Sequence, residues 1–238
     1  MALGLEFGPV TITRFPGVVG VIDRIYPLTD LADLAKSGVA VLEFRLDLFD
    51  DRPLDETLAY LASVYQLKLF GILGTVRETR LNAMIRYGLF EAMLPYVDMI
   101  DIEVDSPIGT SLDHLAKVHG KQVLISDHNY ERTPSDDELA QIYAQAAAFG
   151  PEIIKFAYYA ASRDDMVRLL AFCHAQSFGV ARPLVCAIAM GEAGCVSRLI
   201  AGAFGSCLTY GYLGESGVAP GQLSVAQLIR AFATLDYR

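Results

Sequence analysis

The sequence has few cysteines, and they are irregularly spaced. Its 238 residues include four of them, Cys173, Cys186, Cys195 and Cys207, each in apolar surroundings. A disulfide framework or a paired zinc knuckle needs cysteines at characteristic short intervals. We therefore expect these side chains to pack as small buried hydrophobic groups, and we exclude a disulfide scaffold and a structural zinc site.

Basic residues and long apolar runs are also scarce. Lysine and arginine number 19 against 28 aspartates and glutamates, giving a formal net charge of -9 and a pI of 4.9. Such a chain offers no broad basic face for phosphates, so nucleic acid is disfavoured as a partner. No stretch reaches the ~18 consecutive apolar residues of a membrane span, and the start lacks a basic, apolar leader. We predict a cytoplasmic protein with no membrane partner.

Several catalytic signatures are missing as well. The chain contains no His-Glu-x-x-His, no Gly-x-Ser-x-Gly and no His/Cys cluster at ligand spacing, so metal-dependent and serine-hydrolase mechanisms have no support. A glycine-rich segment, residues 189–198, precedes a predicted helix and could hold an anion. It matches neither the P-loop nor the dinucleotide pattern, which disfavours nucleotide binding.

What the sequence does contain is an alternation of short β-rich runs with amphipathic helical stretches. Hydrophobic residues make up 53% of the chain, and no linker divides it. The predicted strands are Gly17–Ile22, Val39–Leu48, Leu69–Val76, Met99–Val104, Gln122–Ser126, Ile153–Ala157, Leu184–Ala189 and Ser206–Gly211. The clearest predicted helices are Asp55–Gln66, Leu81–Tyr96, Ser135–Phe149, Arg163–Ser177 and Ser224–Leu235.

Eight strand and helix units in this length predict an α/β fold, a single-domain (β/α)8 TIM barrel over residues 1–238. An open doubly wound sheet is the alternative, because periodicity does not reveal whether a sheet closes. Residues 1–16 are predicted to add an N-terminal strand or hairpin at the barrel base. Ser135, followed by Glu138 three residues later, marks the start of the fifth helix.

Both parallel folds place their active sites at the carboxyl ends of the strands. Glu43, Arg45 and Asp47 recur at a period of two, which predicts that all three side chains share one face, the barrel interior. Because burying unpaired charge is costly, we interpret them as functional. A network of mutually paired charges is the alternative.

Two further residues have the character of catalytic groups. His128 is the one histidine that directly follows a predicted strand, and Lys155 lies inside an apolar strand. Burial disfavours the charged form of an amine and makes it a nucleophile toward carbonyls, as a Schiff-base enzyme requires. A lysine that extends its ammonium to the barrel mouth is the alternative reading of Lys155.

In this order and spacing, the motifs resemble those of the type I 3-dehydroquinate dehydratase family, from Val18 to the C-terminus. The matching segments are Glu43-Phe44-Arg45-Leu46-Asp47, Thr75-Val76-Arg77, Asp101-Ile102-Glu103, Ser126-Asp127-His128-Asn129-Tyr130, Lys155-Phe156-Ala157, Met190-Gly191, Ser197-Arg198 and Ala219-Pro220-Gly221-Gln222. Their succession along eight strands is far more specific than any one of them.

The resemblance implies a lyase of the shikimate pathway that converts 3-dehydroquinate, an anionic polyhydroxy cyclic acid, to 3-dehydroshikimate without metal or cofactor. It implies that Lys155 forms an imine with the ring ketone and that His128 acts as general base and acid. A homodimer is the implied assembly. The implied substrate-binding residues are Glu43, Arg45, Arg77, Arg198 and Gln222, with Met190 and Ser216 in support.

Two positions depart from the family pattern. Leu81 stands where the family usually has a glutamate that orients the catalytic histidine, and Val218 stands where it usually has Ser or Thr. Ser216 could supply the second group. For the first, we favour Glu103 over Glu78, because its strand neighbours the strand that carries the histidine and adjacent strands lie only ~5 Å apart.

Two other functions remain open at this stage. One is a non-catalytic barrel that binds a shikimate-like acid, and the other is a different Schiff-base enzyme of the class I aldolase kind. A binding protein needs no buried Lys155, and an aldolase need not carry Arg198 and Gln222. The presence of Lys155 together with Arg198 and Gln222 therefore favours the dehydratase.

Overall fold

The computed structural model describes residues 4–13, 16–77, 81–177, 183–215, 217 and 219–235. Strands in these ranges are β1 (Leu5–Phe7), β2 (Val10–Ile12), β3 (Gly17–Ile22), β4 (Val39–Arg45), β5 (Gly71–Thr75), β6 (Met99–Glu103), β7 (Gln122–Asn129), β8 (Ile153–Tyr159), β9 (Leu184–Met190), β10 (Leu208–Tyr212) and β11 (Leu223–Ser224). Helices are α1 (Leu28–Ser37), α2 (Leu54–Gln66), α3 (Ala83–Met93), α4 (Gly109–Val118), α5 (Asp136–Ala147), α6 (Arg163–Ser177), α7 (Ser197–Ile200) and α8 (Val225–Leu235).

The strands β3 to β11 form one parallel sheet in the order β11-β10-β3-β4-β5-β6-β7-β8-β9, and this sheet closes on itself. Val185 of β9 pairs with Ser206, just before β10, and the amide of Cys207 donates to the Val185 carbonyl at 2.8 Å. The predicted single-domain (β/α)8 TIM barrel is thus confirmed. The open doubly wound sheet is excluded.

Strand alternation divides the apolar residues into two layers. In β8, Ile154 and Phe156 belong to the layer that packs against the helices, whereas Ile153 and Ala157 belong to the barrel interior. Because side chains of a strand alternate between its two faces, Lys155 also points into the interior. The sequence of this one strand therefore places an amine inside the barrel, between the apolar side chains of Ile153 and Ala157.

Side-chain caps set the starts of two helices. The Ser135 hydroxyl accepts from the Glu138 amide while Glu138 accepts from the Ser135 amide, and α5 begins at Asp136, one residue after the predicted start. Helix α3 begins at Ala83 rather than at Leu81. The reason is that the Asn82 side chain accepts from the amide of Met84 at 2.7 Å and so serves as the N-cap.

The strands β1 and β2 form an antiparallel hairpin beneath the barrel, at the amino ends of the strands. Phe7 is fully buried against Gly71, where a Cβ would lie 2.9 Å from the phenyl ring, so glycine is required for this approach. Gln122 donates to the Glu6 carbonyl at 2.8 Å and fixes the hairpin to β7. The hairpin covers the base and leaves the carboxyl ends of the strands as the open side.

The expected strand Val39–Leu48 is too long by three residues. Strand β4 ends at Arg45, and residues 46–48 form a 3-10 turn. The Arg45 guanidinium donates to both carboxylate oxygens of Asp47, at 2.9 and 2.6 Å, and this fork holds the turn. The prediction that Asp47 continues the alternation on the interior face is therefore wrong.

The strands β7 and β8 are longer than predicted. Their ladder continues past Ser126 and Ala157, and it pairs His128 with Ala157 and Asn129 with Tyr158. Polar residues that resemble a loop in the sequence are thus held by strand hydrogen bonds. His128 consequently has a fixed backbone at the barrel mouth.

Three cysteines behave as predicted and one does not. Cys173, Cys186 and Cys207 are buried, and all four cysteines are free thiols. Burial raises the pKa of the Cys173 and Cys186 thiols to about 12, so they stay protonated and inert. Cys195 is half-buried, so the expectation of a buried side chain is wrong for it.

Candidate active site

A small cavity of about 50 Å³ opens at the carboxyl ends of the strands. The cavity is lined by Val21, Glu43, Arg45, Arg77, His128, Tyr130, Lys155, Ala157, Ile188, Met190, Arg198, Tyr210, Ala219 and Gln222. Eight of the side chains singled out in the sequence thus meet at one place.

Lys155 lies on the floor of this cavity and is only 2% exposed. Its Nζ donates to Asp101 Oδ2 at 2.5 Å and lies 3.7 Å from Glu43 Oε1. The ring centroid of Tyr210 is 4.8 Å from the same nitrogen. The amine is therefore held in one position by two carboxylates and an aromatic face.

Asp101 connects the lysine to a wider charge network. Its second oxygen accepts from the Ser126 hydroxyl at 2.5 Å, and Arg77 lies 3.3 Å away. Burial alone would raise the pKa of Asp101, but Lys155 and Arg77 hold this pKa well below its usual value. Asp101 is thus a permanent anion beneath the cavity.

His128 faces this network with one ring nitrogen. Its Nδ1 lies 3.1 Å from a carboxylate oxygen of Glu103 and 3.3 Å from an Arg77 nitrogen. Arg77 also donates to Glu103 in a short ion pair. An ionised carboxylate can only accept a hydrogen bond, and it lies nearer to Nδ1 than the arginine nitrogen does. We therefore assign the proton of the neutral ring to Nδ1, donating to Glu103, which leaves Nε2 as the basic nitrogen.

The charge state of the histidine follows from its surroundings. Burial, together with the cations Arg77 and Lys155, lowers the pKa of His128 well below its ordinary value. Burial and the nearby Asp101 raise the pKa of Glu103, while Arg77 opposes the rise. A neutral imidazole beside a carboxylate can accept a proton at Nε2 at neutral pH.

Arg198 differs from the other arginines of the cavity, because no described carboxylate pairs with it. Its Nε donates to the Gly221 carbonyl at 3.1 Å and one terminal nitrogen to the Tyr210 carbonyl at 3.2 Å. The other terminal nitrogen is buried without a partner among the described residues. Burial lowers the pKa of Arg198 to about 10, so the side chain stays charged at neutral pH. A buried cation of this kind favours an anionic ligand.

Two glycines bring the final loop of the site against Arg198. Gly191 and Gly221 have φ angles of 83° and 67°, a conformation that favours glycine. A Cβ on Gly221 would lie 2.5 Å from the Gly191 carbonyl oxygen, and the Gly191 amide donates to Pro220 at 3.1 Å. This contact places Gln222 at the edge of the cavity.

Glu43 and Arg45 lie on the opposite wall, on β4. Glu43 Oε1 accepts from the Thr75 hydroxyl at 3.1 Å and lies 3.8 Å from Arg77. Two nitrogens of Arg45 bind Asp47, and this contact fixes the guanidinium at the cavity rim. Both side chains are thereby oriented before any ligand arrives.

Some predicted site residues lie elsewhere. Glu103 stands behind His128 rather than on the cavity surface, while Ser216, Val218 and Glu78 fall outside the described residues. Tyr210 was missed by sequence reasoning. The alternation of β10, which turns Leu208 and Tyr210 into the interior, is the signal that could have found it.

Two negative findings concern the described part of the chain. No helix there combines the length and apolar character that crossing a bilayer requires. No set of three His, Cys, Asp or Glu side chains there could hold a metal ion.

A closed (β/α)8 barrel with a buried lysine and a neutral histidine at its mouth is typical of imine-forming enzymes. The family model of type I 3-dehydroquinase matches residues 22–237. The 3-dehydroquinate dehydratase of a Hydrogenobaculum species is 33% identical over 193 residues, covering 80% of this chain and 86% of that protein. The enzyme of the same name from Methanosarcina acetivorans is 30% identical, covering 94% and 96%.

Solved structures agree with the fold. The crystal structure of 3-dehydroquinate dehydratase from Geobacillus kaustophilus superposes with a TM-score of 0.86 at 23% identity, covering 99% of this chain and 98% of that one. The chain belongs to the type I 3-dehydroquinase family.

Proposed function

We propose that this enzyme removes water from 3-dehydroquinate to give 3-dehydroshikimate through an imine on Lys155. The observation that carries the proposal is one cavity that contains a buried, oriented lysine amine, a neutral histidine and an arginine that no carboxylate of the described residues pairs with. These groups suit a substrate that has both a ketone and a carboxylate. Membership of the family supports the same reaction.

The chemistry proceeds in balanced steps. Lys155 first releases a proton and adds to the ring ketone as the neutral amine. The adduct takes up that proton as its hydroxyl leaves as water, and a protonated imine remains. His128 Nε2 then removes a proton from the adjacent ring carbon, and the electron pair moves toward the imine nitrogen. The resulting enamine expels the hydroxyl two carbons from the imine carbon as His128 returns the proton, so that water leaves. Hydrolysis of the imine releases the product and Lys155.

Residues in the cavity walls bind and orient the substrate. Arg198 holds the substrate carboxylate, with Gln222 beside it, and a guanidinium suits this task because it donates in a fixed fork. Glu43, Arg45 and Arg77 bind ring hydroxyls from the opposite side. Met190 packs against the ring, and Ser216 is proposed to contribute a hydroxyl from the last loop.

The decisive experiment is a direct assay. Purified protein mixed with 3-dehydroquinate should generate the ultraviolet absorbance of the conjugated enone product. Absence of this signal from folded protein that still binds the product would favour a binding-only barrel. Cleavage of a carbon–carbon bond instead would favour an aldolase-like enzyme.

The carboxylate contact predicts a binding defect in Arg198→Lys. A lysine loses the fork and the bonds to Gly221 and Tyr210, so KM should rise about 10- to 100-fold, which is the loss of one or two charge-assisted hydrogen bonds. The kcat should change far less, because the contact exists equally in ground and transition states. Steady-state kinetics checks this, with Arg168→Lys on α6 as control. An unchanged KM would remove Arg198 from the binding site.

The contact with His128 predicts a different defect in Glu103→Gln. The neutral amide no longer orients the ring or stabilises its charged form, so kcat should fall at least ~10-fold with little change in KM. For the same reason, the acid limb of the kcat profile should move to lower pH. Glu78→Gln should stay near wild type. Normal kcat and pH dependence in Glu103→Gln would reject this role, and a collapse in Glu78→Gln would assign it to Glu78.

We also propose a cytoplasmic homodimer. Four free thiols support a reducing compartment. Sedimentation equilibrium at micromolar concentration would test the assembly, and a molecule of 25.9 kDa would contradict it.

A further inference from the structure

Tyr210 carries a buried hydroxyl that has no hydrogen-bond partner in the described protein. The residue lies on β10, is 5% exposed, and lines the cavity. Buried polar groups in proteins are nearly always bonded, and an unbonded one destabilises the fold. Tyr158 shows the usual arrangement, since its buried hydroxyl donates to Asp127 at 2.6 Å. Tyr210 is therefore an exception that needs a reason.

Tyr210 contacts both Arg198 and Lys155, the two groups proposed to hold the substrate. Its backbone carbonyl accepts from Arg198, and its ring lies beneath Lys155 Nζ at 4.8 Å. Burial raises the pKa of the Tyr210 hydroxyl well above its usual value, and the charges of Glu43 and Asp101 raise it further. The hydroxyl thus stays protonated and remains a donor at any working pH.

A bound substrate would extend along this side chain. If its carboxylate binds Arg198 and its imine carbon is on Lys155, the ring hydroxyls are left to the other polar groups that line the cavity, and Glu43 and Tyr210 are among them. We propose that the Tyr210 hydroxyl donates a hydrogen bond to the substrate hydroxyl next to the ketone and so selects a polyhydroxy ring. This inference rests on the proposed function, because it uses the orientation that the reaction requires.

The test is Tyr210→Phe, which removes one oxygen and preserves the ring. We expect kcat/KM for 3-dehydroquinate to fall about 5- to 30-fold, as for loss of one buried hydrogen bond to a ligand. The melting temperature of the free enzyme should stay unchanged or rise, because an unbonded buried hydroxyl is removed. The control Tyr158→Phe should lower the melting temperature and leave kcat/KM unchanged, because that hydroxyl is bonded to Asp127 and neither residue lines the cavity.

A substrate analogue identifies the contact. With 3-dehydroquinate lacking the hydroxyl next to the ketone, wild type and Tyr210→Phe should differ less than twofold. An equal loss for both substrates would overturn the assignment to that hydroxyl. A kcat/KM within twofold of wild type for 3-dehydroquinate itself, the result expected if water satisfies the hydroxyl in both states, would overturn the inference as a whole. Failure of wild type to form the enone would instead reject the proposed function.

Discussion

Lys155→Ala should lower turnover of 3-dehydroquinate by at least about four orders of magnitude, because the variant has no amine to form the imine. In wild type, borohydride added during turnover should reduce the imine and leave a stable adduct. Digestion and mass spectrometry should find this adduct on Lys155 alone. An adduct on another lysine, or turnover by Lys155→Ala close to that of wild type, would reject the covalent mechanism.

The Lys155→Ala variant should also lose folding stability, and this loss must be distinguished from the loss of the reacting amine. Removing Lys155 leaves the buried Asp101 with Arg77 as its only cation within 4.0 Å among the described residues, and breaking a buried ion pair costs about 3–5 kcal/mol. A double variant, Lys155→Met with Asp101→Asn, removes both charges and should recover much of that stability while remaining inactive. Lys117→Ala, an exposed lysine on α4, serves as the control and should keep full activity.

The sequence predicts the fold and the site to different extents. Alternating apolar runs predict the strands of a barrel because strand and helix periods are properties of local sequence. Closure depends on Val185 meeting Ser206, a contact between two segments that periodicity does not relate. The end of β4 was misjudged because the fork from Arg45 to Asp47 turns the chain there, and a period-two pattern cannot distinguish a strand from a turn held by side chains.

Within the site, the sequence predicts which side chains are close together when they lie on neighbouring strands. The expectation that Glu103 lies near His128 depends only on the adjacency of β6 and β7, and the two side chains are 3.1 Å apart. Within the described part of the chain, Arg198 has no carboxylate beside it and the Tyr210 hydroxyl has no hydrogen-bond partner, and neither fact could be foreseen. Whether an atom lacks a partner depends on every group that packs around it, and only the folded chain defines those groups.

His128→Ala should separate the two halves of the reaction. Without the general base, proton removal next to the imine is slow, and kcat should fall about 10²- to 10⁴-fold. Lys155 is still present, so borohydride should continue to trap an adduct on it. Exposed His114 on α4 provides the control, and His114→Ala should match wild type in both measurements. Full loss of trapping in His128→Ala would mean that the histidine is indispensable for imine formation itself.

The pH profile gives an independent check on the same residue. Only the neutral ring can accept a proton, and burial, Arg77 and Lys155 lower the pKa of His128 well below 6.5. As pH falls through that lowered pKa, imidazolium forms and kcat/KM declines, so wild type should keep a constant kcat/KM down to pH 6.5 and lose it only below. His128→Ala should lack this limb, because the group that titrates is gone. An acid limb centred at or above pH 6.5 would contradict a histidine buried among cations, and a limb that persists in His128→Ala would assign the titration to another group, with Glu103 as the first to test.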